Sequence, residues 1–143
     1  MAEVRHTEIF DCTPEQFFSV VSDCEKYSEF LSEVQSCKIL KDDGGSNDVE
    51  YKISVIKTFT YINKHTENAP HSLKFHYLSG DLFKSMEGGW DIQPHGEQTK
   101  VEYTVRASFG LFVPGGMTKK VIGANLPAMM KSYHKRIQQL FGS

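Results

Sequence analysis

From Val34 to Ala107 the chain alternates with a period of two, broken only by short turn clusters. Val49, Tyr51, Ile53 and Val55 alternate with Glu50, Lys52, Ser54 and Ile56. Leu73, Phe75 and Tyr77 alternate with Lys74 and His76, and Met86, Gly88, Trp90 and Ile92 with Glu87, Gly89 and Asp91. Val101, Tyr103, Val105 and Ala107 alternate with Glu102, Thr104 and Arg106. Successive strand side chains point to opposite faces, so each run predicts a strand with one wet and one dry face. Val34–Lys41 and Phe59–Thr66 read as further strands, with a bend near Lys57. The punctuation is Asp42-Asp43-Gly44-Gly45-Ser46, Asn68-Ala69-Pro70, Gly80-Asp81 and Pro94-His95-Gly96-Glu97. Connections this short join antiparallel neighbours.

The flanks change period. Val4–Asp11 reads as a first strand. Thr13-Pro14-Glu15-Gln16 reads as a helix start, with Thr13 as cap, Pro14 in the first helical position and Gln16 able to reach back. Phe17, Phe18, Val20 and Val21 make that helix apolar, and a second short helix restarts at Ser22 or Asp23 and runs through Tyr27, Phe30 and Leu31. In Pro114–Phe141, Met117, Val121, Leu126, Met129, Tyr133, Ile137 and Leu140 recur at spacings of three to five, one apolar stripe on a long helix. Pro127 is expected to bend that helix over Gly123; two shorter helices breaking near Asn125 are the alternative. The order is strand, two short helices, six strands, long helix. That is an α+β arrangement in which a sheet can wrap a helix and leave room for an apolar guest.

With 143 residues, residues 1–143 fit one domain, able to bury roughly two thirds of its unfolded surface. Sixteen Lys and Arg against eighteen Asp and Glu give a net charge of −2. That offers no global basic field for nucleic acid. Ten Phe and six Tyr suggest a wide interior. Cys12, Cys24 and Cys37 are odd in number and lack metal-ligand spacing, which predicts free thiols in a reducing compartment. The charged start MAEVRHTE has no apolar signal region, and no apolar run approaches the ~20 residues of a membrane span. A cytoplasmic protein is expected.

Four segments carry a family resemblance: CEKYSEFLSEVQSCKIL (Cys24–Leu40), VEYKISVIKTFTY (Val49–Tyr61), GDLFKSMEGGWDI (Gly80–Ile92) and NLPAMM (Asn125–Met130). Together with the element order they resemble the START-like superfamily, also called polyketide cyclase/dehydrase-like or birch-pollen-allergen-like. Within it the chain is most similar to the coenzyme-Q-binding protein and ribosome-association toxin branch. The resemblance implies a helix-grip: a curved antiparallel sheet of about seven strands around a long C-terminal helix, two short helices closing one end, and a deep apolar cavity between. It implies binding of lipids, sterols, quinones, polyketides or hormones, with some cyclases or aromatases among the members. The family's Tyr-Pro-Glu/Lys-Phe-Leu-Pro phrase departs here to Tyr27-Ser28-Glu29-Phe30-Leu31-Ser32, which puts partner recognition through that loop in doubt, not the fold.

Strand parity then sorts the candidate residues. With Trp90 inward, Met86 and Gly88 share its face, and Glu87 and Asp91 face water, removed from acid–base work in a cavity. Tyr51, Tyr77 and Tyr103 turn inward, and His76, Lys52 and Arg106 outward. A phenol, with an ordinary pKa of roughly 10, can orient a guest's carbonyl oxygen; an ordinary core tyrosine is the alternative. Leu82 and Phe83, in a turn, can cap the cavity mouth, touch a membrane or partner, or simply pack. Met129 and Met130 can line a cavity or fill a core. The expected ligand-binding set is Tyr51, Ile53, Phe75, Tyr77, Leu82, Phe83, Met86, Trp90, Tyr103, Val121, Asn125, Met129 and Tyr133. The six histidines, at 6, 65, 71, 76, 95 and 134, show no metal-ligand spacing and read as scattered surface residues. Lys119, Lys120, Lys131, Lys135 and Arg136 read as a solvated helix face, with attraction to anionic lipid or RNA the sharper alternative. No catalytic residue, metal or cofactor is assigned. The expected function is binding or carriage of an apolar small molecule, a quinone or other lipid, with transient membrane contact possible. An aromatase/cyclase-type enzyme, for which Asn125 and the tyrosines are the inward candidates, is one alternative. A ribosome- or protein-interaction module is the other; nucleic acid is not otherwise an expected partner.

Overall fold

Each alternating run forms a strand. The structure is a computed structural model and describes residues 2–54, 58–110 and 126–142. After β1 (Ala2–Phe10) come α1 (Pro14–Ser22) and a 3₁₀ helix (Cys24–Glu29). Then follow β2 (Val34–Asp42), β3 (Ser46–Ser54), β4 (Thr58–Asn68), β5 (Ser72–Gly80), β6 (Phe83–His95), β7 (Gln98–Phe109) and α2 (Leu126–Phe141). The seven strands make one antiparallel sheet in the order β1-β7-β6-β5-β4-β3-β2. Every hairpin neighbour in sequence is a neighbour in the sheet. Only β1 travels, crossing by way of the two short helices to pair with β7, Val4 opposite Val105.

The capping box forms. Gln16 donates its amide N–H to the Thr13 hydroxyl at 3.1 Å, and Gln16 Oε1 accepts the Thr13 amide at 3.0 Å. Phe17, Val20 and Val21 face the interior. The Tyr27 hydroxyl donates to the Val21 carbonyl, tying the 3₁₀ helix to the end of α1. Phe30 and Leu31 lie just beyond the 3₁₀ helix, their amides donating to the Tyr27 carbonyl at 3.2 and 2.8 Å. Val55, Ile56 and the bend near Lys57 lie outside the described residues.

Inward side chains build three apolar clusters. Phe10, Phe17, Leu73, Trp90, Ile92, Val101, Met130, Tyr133 and Ile137 join α1 and α2 to the sheet. Ile53, Phe59, Tyr61, Leu82, Phe83, Met86, Val105 and Ala107 form a second cluster, and Cys24, Tyr27, Cys37 and Val49 a third. Cys12, Cys24 and Cys37 are free and buried. The outward faces carry ion pairs: Lys74 Nζ is 2.9 Å from Asp91 Oδ1, and Arg106 Nη1 is 3.6 Å from Glu87 Oε1. Glu87 and Asp91 therefore sit on the solvent side, as parity places them.

The closing helix differs from its expectation in one respect. Pro127 is the second described residue of α2. The bend over Gly123, and the stripe positions Met117 and Val121, lie outside the described residues. The stripe ends at Ile137, because Leu140 is 50 % exposed. Among the described residues no helix is long and apolar enough to cross a membrane.

Candidate functional site

Between the three clusters lies a cavity of about 300 Å³, at the low end of the usual ~300–1,000 Å³ for small-molecule sites. The sheet lines it with Tyr51, Ile53, Tyr61, Asn63, His65, Leu73, Phe75, Phe83, Met86, Trp90, Tyr103 and Val105. From α2 come Leu126, Ala128, Met129, Ser132 and Tyr133, from the 3₁₀ helix Tyr27, from the turn after it Leu31, Ser32 and Glu33, and from the start of β2 Val34. Eight of the described wall residues are Phe, Tyr or Trp, and several of these rings touch one another. Trp90 packs on Tyr103 at 4.4 Å between ring centroids and edge-on to Tyr133 at 5.2 Å, while Tyr51 stacks on Tyr61 at 5.1 Å.

Of the residues expected at the site, Tyr51, Ile53, Phe75, Phe83, Met86, Trp90, Tyr103, Met129 and Tyr133 meet around this space. Val121 and Asn125 lie outside the described residues. Tyr77 and Leu82 do not line it. A register shift between β4 and β5 follows Ile62, and Tyr77 pairs with Asn63. Its ring packs against Phe83 and Tyr61, which do line the cavity, at 5.8 and 6.5 Å. Leu82 is fully buried and Phe83 nearly so, which removes both from the exposed rim. The cause is the turn before them. The Asp81 amide donates to the Thr60 carbonyl at 3.1 Å, and the Asp81 carboxylate accepts the Thr60 N–H at 2.9 Å. Pinned this way, the turn drives Leu82 into the second cluster, so neither side chain is free to touch a membrane or partner in this conformation. Met129 lines the cavity, whereas Met130 belongs to the core beside it.

Two polar residues on β4 were missed. Asn63 and His65 are each 2 % exposed and line the cavity. His65 is thus a buried histidine, not one of a scattered surface set. Its Nε2 lies 2.6 Å from the Tyr51 hydroxyl oxygen, and burial pulls its pKa down to about 4, so the ring is neutral at pH 7. The Asn63 side-chain carbonyl is buried without a hydrogen-bond partner among the described residues. Parity could have found both: they continue the inward face set by Phe59 and Tyr61. Burial also raises the pKa of Tyr51, Tyr61, Tyr103 and Tyr133, so the phenols remain protonated. Glu33, half-buried at the turn, has its carboxyl raised by burial. His65 and Glu33 therefore join the tyrosines as titratable groups facing inward, although a histidine this hard to protonate is a weak base at neutral pH. Among the described residues no group of three or more His, Cys, Asp or Glu can hold a metal ion.

Side-chain latches hold α2 over this space. His134 Nε2 lies 2.6 Å from Glu8 Oε2, and His6 Nε2 lies 2.7 Å from Glu8 Oε1. Arg136 Nη2 donates to Glu29 at 2.9 Å, and its guanidinium sits 5.2 Å above the Phe30 ring. Arg136 is thus engaged with the body rather than part of a free solvated face; Lys131 and Lys135 are exposed, and Lys119 and Lys120 lie outside the described residues. Burial raises the Glu8 pKa, but hydrogen bonding and charge attraction from His134 and His6 outweigh it and hold the carboxyl below its ordinary value. A carboxylate with a depressed native pKa contributes stability above its unfolded value, roughly 4.3, and loses it as pH falls through the native value. Glu8→Gln should therefore be less stable than the parent at pH 6, with the gap closing by about pH 3. Urea midpoints across that range measure it, and a constant gap would mean that the Glu8 charge does not hold the latch.

The sequence of residues 11–132 matches the model of the family described as polyketide cyclase/dehydrase and lipid transport. The chain belongs to that family. Among relatives of this member, the ribosome association toxin RatA of Vibrio cholerae is 27 % identical over 99 % of both chains. A START superfamily protein from Mycobacterium smegmatis superposes with a TM-score of 0.85 at 27 % identity, over 96 % of this chain and 98 % of that one. The Zhui aromatase/cyclase of Streptomyces sp. R1128 superposes equally well, TM-score 0.85, at 15 % identity over 96 % and 94 %. The fold is therefore the START-like helix-grip, with the curved seven-stranded antiparallel sheet, a short helix after the first strand, and the C-terminal helix.

Proposed function

We propose that this family member is a non-enzymatic binding or carrier protein for an apolar small molecule, a quinone or other lipid, held between sheet and α2. The observation that carries the reading is the interior cavity walled by Trp90, Tyr103, Phe75, Tyr133 and Met129. Burial of a guest's hydrocarbon there supplies affinity at roughly 25 cal/mol per Å² before entropic costs. The family description, with lipid transport in it, supports the same reading. Native mass spectrometry of freshly purified protein tests it: a co-purifying apolar mass is expected, released on denaturation. Repeated recovery of the bare chain, with no binding of added alkylated probes, would overturn it.

A second reading follows from the relative named as a ribosome association toxin, similar over nearly its whole length. On that reading the exposed Lys131 and Lys135 of α2 contact the ribosome. Co-sedimentation with ribosomes that disappears in a Lys131→Glu, Lys135→Glu variant would favour it over the carrier. An aromatase/cyclase reading would instead require turnover of a polyketide-like substrate, lost in Tyr103→Phe.

A further inference from the structure

The polar groups in the cavity are few and placed together, which says something about the guest's head. Asn63 and His65 are successive inward residues of β4, and Tyr51 reaches His65 from the neighbouring β3. The Tyr51–His65 contact has one proton between two partners. If Tyr51 donates, the histidine keeps its other N–H. If His65 donates, the tyrosine O–H is free. Either way the pair retains one donor. Asn63 adds an acceptor, its carbonyl, that nothing among the described residues satisfies. A buried acceptor left unmade is costly, and a native domain normally carries few. Among the described residues lining the cavity there is no Lys or Arg, and the one carboxyl is Glu33.

We infer that Tyr51, His65 and Asn63 form a head-group site for a neutral hydroxyl, the group presented by a phenol or hydroquinone carrying an apolar tail. A hydroxyl both donates and accepts, so it satisfies Asn63 and takes the donor left on the Tyr51–His65 pair. A carbonyl or ether head can only accept, and leaves the Asn63 carbonyl unpaired. A carboxylate or phosphate head brings a charge for which the described wall holds no cation. The inference rests on the carrier reading and narrows its guest.

Three probes of equal tail length test it: 4-octylphenol, 4-octylanisole and 4-octylbenzoate. Trp90 is the sole tryptophan and lines the cavity, so its emission reports occupancy. The phenol is expected to bind about tenfold more tightly than the anisole, the scale of one buried donor–acceptor pair made or missed. The benzoate is expected to bind weakest. In Asn63→Leu the phenol–anisole gap should shrink to within about twofold. If phenol and anisole bind alike in the parent protein, the head-group site is wrong while the carrier reading stands. If the benzoate binds tightest, a neutral head is wrong. If none of the three shifts Trp90 emission, the carrier reading fails and the head-group site with it. The three probes on the parent protein decide the matter even if Asn63→Leu does not fold.

Discussion

Trp90→Ala should lower the unfolding free energy by about 3–5 kcal/mol, the range for emptying a buried tryptophan site. Trp90 is 3 % exposed. It stands between Tyr103 at 4.4 Å, Tyr133 at 5.2 Å and Phe17 at 5.4 Å, so one ring joins the sheet to both α1 and α2. Seen only as a cavity wall, the residue would be expected to tolerate truncation with loss of guest binding alone; as a packing joint it cannot. With urea slopes of roughly 1–3 kcal/mol per molar, the midpoint should fall by more than one molar. A change under about 1 kcal/mol would mean that the surrounding rings collapse to fill the space, and the joint would lose its importance. Trp90→Phe keeps most of the volume and is the variant in which guest affinity is better measured.

Gly88→Ala is the second large effect. A Cβ built at Gly88 would lie 2.1 Å from the Thr104 carbonyl oxygen and 2.9 Å from Phe75 Cζ. The Phe75 ring could swing away, but the carbonyl belongs to β7 and pairs in register with β6, so the two strands would have to part. Overpacking of this kind typically costs roughly 1–3 kcal/mol, and the backbone partner puts this case at the upper end. For a chain of this size the melting temperature should fall by roughly 2–4 °C per kcal/mol. Gly45→Ala is the control: its nearest contact would be an ordinary 3.5 Å to the Glu67 carbonyl oxygen, and its melt should be nearly unchanged. Equal melts for the two variants would show that β6 and β7 can yield at Gly88. Displacing Phe75 also intrudes on the cavity, so guest affinity should fall together with stability.

Much of the site could be read by counting. Met86, Gly88 and Trp90 against Glu87 and Asp91 is a parity statement, and the ion pairs of Glu87 with Arg106 and Asp91 with Lys74 agree with it. The same count along β4 runs from Phe59 through Tyr61 to Asn63 and His65, but there polar side chains break the apolar pattern even though the backbone keeps its period. Leu82 failed for a different reason. Its burial depends on Asp81 bonding to Thr60, twenty-one residues earlier, and no local pattern reports that pairing.

What this chain's sequence determined alone is what depends on neighbours a few residues apart. The strand period, the Thr13–Gln16 capping box and the turn clusters are all of this kind, and they suffice to order the elements, while the family resemblance of four segments implies the helix-grip. The tertiary structure decided what depends on residues far apart meeting. The Asp81–Thr60 bonds bury Leu82, Tyr77 packs against Tyr61 and Phe83 rather than on the cavity wall, and Tyr51 meets His65 only once β3 lies against β4. Period is a property of one strand, whereas register and contact belong to pairs of strands. For that reason the inward residues, Asn63 and His65 among them, follow from the period of single strands, while the Tyr51–His65 contact depends on the pairing of two.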